Sequence, residues 1–132
     1  MKAKTSKEVV KELLGQLTED EREILRDTII YGGWGDTMVN FTTGAGENVE
    51  AYAYGYCPND AQEGGRYIGR RNNQLFKSIY RKLCPNSHGG AGSGEYIAHC
   101  SDWWGDGSGD MLFIRTGIYQ EMEVWARGEN IY

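Results

Sequence analysis

A run of basic side chains in the middle of the chain is the first candidate for chemistry. No acidic residue lies between Glu63 and Glu95. Within seventeen of these positions there are six bases: Arg66, Arg70, Arg71, Lys77, Arg81 and Lys82. Arginines at a helix N-terminus, where free backbone amides already favour negative charge, are suited to phosphate, and bases one turn apart extend such a surface along a nucleic-acid backbone. We call residues 66–82 the basic segment; it predicts an anion or nucleic-acid site.

A second interpretation is that the basic segment balances acids of its own protein. Without its six bases, 8 Lys and Arg remain against 19 Asp and Glu, a charge of −11 for the rest of a chain whose total is −5. The acids between Glu19 and Asp27 are possible internal partners, since charge runs are often balanced within the molecule. The segregation of charge also predicts that the acidic bulk engages basic partners and repels anions.

Two other groups of side chains have the chemistry of metal ligands. In segment 101–110, side chains with ligand oxygens occur at alternate positions, as they do in calcium loops. However, Trp104 occupies one ligand position, and no glutamate follows at the distance needed to close the loop. The cysteines and histidines lack the C-x2-C spacing of zinc sites. They are Cys57, Cys84, Cys100, His88 and His99. We therefore expect no metal and no cofactor.

A cysteine nucleophile served by a histidine is the catalytic alternative. His99 and Cys100 are adjacent, and neighbours in a strand point to opposite faces, so this pair cannot itself be a dyad. The chain contains no phosphate-binding glycine loop and no G-x-S-x-G elbow. A cysteine- or metal-dependent enzyme remains open, but the sequence favours a protein without catalytic activity.

Size and composition predict a single globular domain over residues 1–132. The chain is 39% hydrophobic and contains 19 glycines but 2 prolines, which is typical of a turn-rich fold with a real core. No apolar run approaches the roughly 20 residues of a membrane-spanning helix, and the N-terminus lacks the apolar stretch of a signal peptide. An odd number of cysteines argues against a disulfide framework. We expect a cytoplasmic protein with no membrane partner.

The N-terminal region is predicted to form two helices. Apolar residues from Val9 to Leu17 follow helical spacing after a cap at Thr5 or Ser6, and Thr18-Glu-Asp-Glu21 reads as a capping box. The sequence LTEDEREIL resembles the first helix of the helix-turn-helix in response-regulator and sigma-factor DNA-binding domains. The resemblance covers about nine residues, because the chain then continues as Y-G-G-W-G-D where those families place a recognition helix. Capping chemistry accounts for this match.

A hairpin and a basic helix follow. Residues 37–41 and 48–56 alternate with period two around a glycine-containing loop, which is typical of a β-hairpin. The second strand has Tyr52 and Tyr54 on one face and small residues on the other, which we expect to admit a helix. Apolar residues at helical spacing up to Leu83 predict a helix that starts near Asn72 or Asn73, and Pro85 ends it.

Residues 86–94 are expected to form a glycine-rich loop, followed by strands at 95–101, 111–115 and 118–126. The resulting order predicts an α+β fold: an N-terminal helical pair and a small, mostly antiparallel sheet with one basic amphipathic helix packed on it.

The sequence favours a small regulator or inhibitor that acts by occupying a protein partner, such as a nucleic-acid-handling protein. Aromatic side chains are the expected anchors, together with the aspartate of the sequence Trp-Gly-Asp at residues 104–106. These candidates are Trp34, Tyr52, Tyr54, Trp103, Trp104 and Asp106. Direct binding of nucleic acid or a phosphate ligand through the basic segment is the alternative.

Overall fold

The structure, a computed structural model, describes residues 4–57, 65–67, 69–86, 91–101 and 110–128. For residues 31–37, 56–57, 65–67 and 69–73 it describes the backbone alone. The elements in chain order are α1 (Ser6–Gly15), α2 (Glu19–Gly32), β1 (Gly33–Thr42), β2 (Asn48–Cys57), β3 (Gly65–Tyr67), α3 (Gly69–Leu83), β4 (Ala91–Ser93), β5 (Ile97–Cys100), β6 (Asp110–Arg115) and α4 (Tyr119–Ala126). The predicted α+β class and the N-terminal helical pair are confirmed.

Two capping boxes define the starts of the first two helices. The Thr5 side chain accepts from the backbone N–H of Glu8, whose carboxylate accepts in return from Thr5. Thr18 and Glu21 exchange the same pair of bonds, at 3.2 and 2.7 Å. Each box satisfies amides that the first helical turn would otherwise leave unbonded. Both starts therefore follow from residues within four positions of one another.

The strands form one mostly antiparallel sheet in the order β1-β2-β6-β5-β4. The predicted β1–β2 hairpin is present, with Phe41 opposite Val49. The short strand β3 lies off this path and pairs in parallel with the end of β2. β1 and β4 are consequently the two end strands of the order.

The sheet curls, so that the hairpin loop after β1 approaches β4. A Cβ atom placed on Gly44 would lie 2.7 Å from the carbonyl oxygen of Ala91, which leaves no room for a side chain. Nη2 of Arg115 donates across the same gap to Glu47 at 2.7 Å and to the Ser93 hydroxyl at 2.6 Å. Arg115 therefore ties the hairpin loop to the opposite end of the sheet.

The two faces of the sheet bury different residues. Tyr54 and its neighbours on one face pack under the helices, whereas Ala51 and Ala53 lie on the other face with Phe41 and Phe113, whose rings stack 4.3 Å apart. The expectation that a helix covers the small-residue face is therefore wrong. The inside of the curl is narrow, so alanines on β2 make space for the phenylalanines of the neighbouring strands.

α3 begins at Gly69, three or four residues before the predicted start near Asn72 or Asn73. Arginine forms helices almost as well as alanine, so Arg70 and Arg71 lie in the first turn instead of ahead of it. Phe76, Ile79 and Leu83 are buried on the face that packs against the core. The prediction of a basic amphipathic helix on the sheet is confirmed.

Two local predictions are wrong. Segment 118–126 was expected to be a strand, but Ile118 caps a helix, α4, because Ile118, Met122 and Trp125 bury one helical stripe against the core. The predicted loop 86–94 contains β4, whose glycine-rich sequence is held by pairing with β5. No helix in the described ranges is long and apolar enough to cross a membrane.

Candidate functional site

The basic segment is partly committed to the protein's own acids. Nζ of Lys82 lies 2.6 Å from Oε1 of Glu21, and the Ser78 hydroxyl donates to the other carboxylate oxygen. Glu21 is only 2% exposed, whereas the Lys82 side chain is 37% exposed, so α2 and α3 share an ion pair in which only the carboxylate is buried. Lys82 therefore pairs with an acid of its own protein, as the second interpretation of the basic segment predicts.

The environment of Glu21 favours its charged form. Burial by itself would raise the pKa of this carboxyl, but hydrogen bonds from Lys82, Ser78 and the Thr18 backbone outweigh it and lower the pKa to about 2. The carboxylate is therefore ionised throughout the physiological range. Its function is to join the two helices, since its bonds go to elements of the fold.

The other bases of the segment are distributed along β3 and α3. Arg81 is exposed on the last turn of the helix, and Lys77 is half-buried. Arg66 lies in β3, and Arg70 and Arg71 lie in the first turn of α3, with side chains outside the described part. The topology thus brings three arginine positions to the region of the α3 N-terminus, where backbone amides favour anions. Their use as a binding site remains a prediction.

The aromatic anchors proposed from the sequence have different positions. Tyr54 is 2% exposed and donates to Glu123 of α4 at 3.0 Å, and Tyr52 stacks on Tyr119 with ring centroids 3.9 Å apart. Tyr54 therefore packs inside the protein. Trp34 lies in β1, but its side chain is outside the described part. Trp103, Trp104 and Asp106 lie outside the described residues.

The end strand β1 presents an exposed apolar side chain. Met38 is 49% exposed, and no other large hydrophobic side chain in the described ranges is exposed. Asn40 and Thr42, on the same side of the strand, are exposed as well. This strand was predicted, but its position at the end of the sheet depends on how the strands are ordered.

On the outer edge of β1, backbone groups have no partner among the residues that the structure describes. The carbonyl of Glu50 accepts from Thr116 at 3.3 Å, on the side of β2 away from β1. Asn40, opposite Glu50, is therefore in a non-hydrogen-bonded pair, and its N–H and C=O point away from β2. Outside the β1–β2 ladder, no backbone hydrogen bond to another described residue involves Met38, Asn40 or Thr42. A strand edge in this state can pair with another chain.

A histidine, a tyrosine and an aspartate meet beneath α3. His99 is fully buried in β5, with its ring 3.6 Å from that of Tyr80 and nearly parallel to it. Its Nε2 lies 3.3 Å from Oδ2 of Asp110. Burial and the nearby Asp110 both raise the pKa of the Tyr80 hydroxyl. A His–Asp pair can transfer protons, but a substrate cannot reach a fully buried ring, so these residues join β5, β6 and α3.

Of the two described thiols, Cys84 is closed to a substrate and Cys100 is partly exposed. Cys84 is fully buried, its Sγ donates to the carbonyl of Ile97, and burial raises its pKa to about 12. Cys100 packs on the small-residue face while His99 lies on the helix face, which confirms that these neighbours form no dyad. The side chain of Cys57 is outside the described part.

Within the described ranges, no three side chains of the types His, Cys, Asp and Glu converge as metal ligands would. His88 and most of the 101–110 segment lie outside those ranges, so the expectation that the protein needs no metal stays a prediction.

Comparison of the chain with known protein families, with curated protein sequences and with solved structures finds no match. The residues and their geometry are therefore the basis for a functional proposal.

Proposed function

We propose that this is a non-enzymatic binding protein that regulates or inhibits a protein partner by occupying it. The observation that supports the proposal is the open edge of β1, with Met38 exposed beside outward-pointing backbone groups. An extended segment of the partner adds to this edge as a further strand. Its main-chain bonds supply affinity, and Met38 contributes an apolar contact that favours one partner over others.

The charge near this edge suggests the chemistry of the partner. Glu50 lies directly opposite Asn40 and is exposed, within a chain whose net charge is −5. Acidic groups around an edge attract a partner with a basic surface and speed its association at low salt. Nucleic-acid-handling proteins have such surfaces, which agrees with the function proposed from the sequence.

The catalytic alternative has less support in the described part of the chain. Cys84 and His99 are both fully buried, and the bonds they make serve the core. Direct nucleic-acid binding through the basic segment also has less support, because Lys82 is held by Glu21.

The test is a substitution that blocks the edge and leaves the fold intact. Asn40→Pro removes an outward N–H without removing a bond of the β1–β2 ladder, and proline is tolerated on edge strands. Asn40→Ala is the matched control, because it removes the side chain but keeps the N–H. Met38→Lys tests the apolar contact, and its control is Gln120→Lys, because Gln120 is an exposed residue of α4.

Affinity capture from the native cell provides the readout. We expect one protein to be retained by the wild type, by Asn40→Ala and by Gln120→Lys, and to be lost with Asn40→Pro and Met38→Lys at unchanged melting temperature. Retention by Asn40→Pro would contradict the proposal. So would a self-dimer, seen by sedimentation, that Asn40→Pro dissociates, because the edge would then be occupied by a second copy.

A further inference from the structure

Three basic side chains converge on a groove between α1, α2 and α4. The groove has a volume of about 350 Å³ and is lined by Lys11, Leu14, Gly15, Arg22, Arg26 and Trp125. We call it the cationic groove. It contains no position of the basic segment and lies on different helices. The residues that form it are up to 114 positions apart, so no local pattern in the sequence indicates it.

Two of the three bases are held in place by the fold. Nη1 of Arg22 donates to the carbonyls of Leu14 and Leu17, at 3.1 and 2.7 Å, and so completes the C-terminal end of α1. The guanidinium of Arg26 lies over the ring of Trp125, 5.1 Å from its centroid. Both charges are therefore oriented before any ligand arrives, which lowers the entropy lost on binding.

Within the described part of the chain, no acid pairs with the bases of the cationic groove. None of the described lining residues is acidic, and Lys11, Arg22 and Arg26 form no ion pair with another described residue. Other bases of the same protein do pair: Lys82 with Glu21 at 2.6 Å, and Arg115 with Glu47 at 2.7 Å. Three cations without an ion-pair partner among the described residues concentrate positive charge at one place in a chain of net charge −5.

We propose that the cationic groove binds a small phosphate ester or pyrophosphate through its phosphate groups. Three positive charges match an anion of charge −2 or more better than a single carboxylate of charge −1. The guanidinium of Arg26 is a planar donor that suits phosphate oxygens, and Lys11 adds a flexible point charge. The volume lies at the lower end of the range for small-ligand sites, about 300–1,000 Å³.

Binding of inorganic pyrophosphate at low salt tests the proposal. Isothermal titration of the full chain should give saturable binding that exceeds any effect of sodium chloride at equal ionic strength. Lys11→Ala and Arg26→Ala should each weaken it about tenfold, the expected effect of losing one charge-assisted hydrogen bond. The control is Lys7→Ala, because Lys7 is exposed on α1 but does not line the groove.

Binding that survives in both groove variants, or that falls equally in Lys7→Ala, would overturn the proposal. Citrate bound as tightly as pyrophosphate would overturn the choice of phosphate. Tighter binding of a mononucleotide than of pyrophosphate would support an ester as the occupant, whereas equal binding would support the pyrophosphate group itself. If Arg26→Ala unfolds by losing its contact with Trp125, Lys11→Ala decides the outcome, since Lys11 has no such contact.

Discussion

The ion pair between the buried Glu21 of α2 and Lys82 of α3 leads to a quantitative prediction about stability. Glu21 is 2% exposed and receives bonds from Lys82, Ser78 and the backbone N–H of Thr18. Glu21→Gln preserves the shape of the side chain and an acceptor for Thr18, but it removes the charge. The substitution therefore isolates the contribution of the carboxylate.

The magnitude follows from the pKa of the Glu21 carboxyl, which falls from 4.5 to about 2 on folding. Such a shift corresponds to a stabilisation on the order of 3 kcal/mol. Because the folded pKa is the lower one, this stability is fully present above pH 4.5 and is lost as the pH falls towards 2. Glu21→Gln should lack this loss and should already be about 3 kcal/mol less stable at pH 7.

Urea denaturation between pH 2 and 7 measures both effects. With a urea dependence of about 2 kcal/mol per molar, the midpoint of the variant should fall by about 1.5 M at pH 7. Glu23→Gln is the matched control, because Glu23 is exposed on the same helix and should change stability by less than about 0.5 kcal/mol. A variant whose stability runs parallel to that of the wild type across this range would refute the reasoning.

Four further predictions concern two glycines, one buried thiol and the basic segment. Gly94→Ala should destabilise by about 2 kcal/mol in thermal melts, because its Cβ would lie 2.1 Å from the Leu83 carbonyl oxygen. Gly15→Ala has open space on α1 and should stabilise by about 0.5–1 kcal/mol; a loss as large as at Gly94 would contradict the steric explanation. Cys84, fully buried with a pKa raised to about 12, should resist iodoacetamide at pH 8 until urea unfolds the chain, as peptide mass spectrometry would show. If the basic segment binds about four phosphates of single-stranded DNA, affinity should fall with a log–log salt slope near −2.8, and reversing residues 70 and 71 should abolish it in a shift assay without unfolding.

Local interactions explain which elements could be predicted. Both capping boxes, the β1–β2 hairpin and the apolar stripe of α3 depend on residues within a few positions of each other, so the sequence pattern indicates them directly. α4 was predicted as a strand because eight residues with mixed spacing satisfy either period. In the fold, Met122 and Trp125 bury the same side of α4, and this packing selects the helix over the strand.

The positions of the candidate sites depended on contacts between distant residues. The sequence indicates both the basic segment and the acids of α2 as possible partners. Only the packing of α2 on α3 brings Glu21 to Lys82, 61 positions away. Sheet order likewise decides that β1 is an end strand, and the assembly of three helices decides that Arg26 and Trp125 share a groove.

By itself, the sequence determined the α+β class, the capped N-terminal helices, the hairpin and the segregation of charge, because capping, periodicity and composition act over short distances. The tertiary structure alone decided which charges form ion pairs and, within the described part of the chain, which strand edge is open and which bases converge without an acid. Solvation and Coulomb energies depend on distances and burial, and the fold sets these between residues that the sequence keeps far apart.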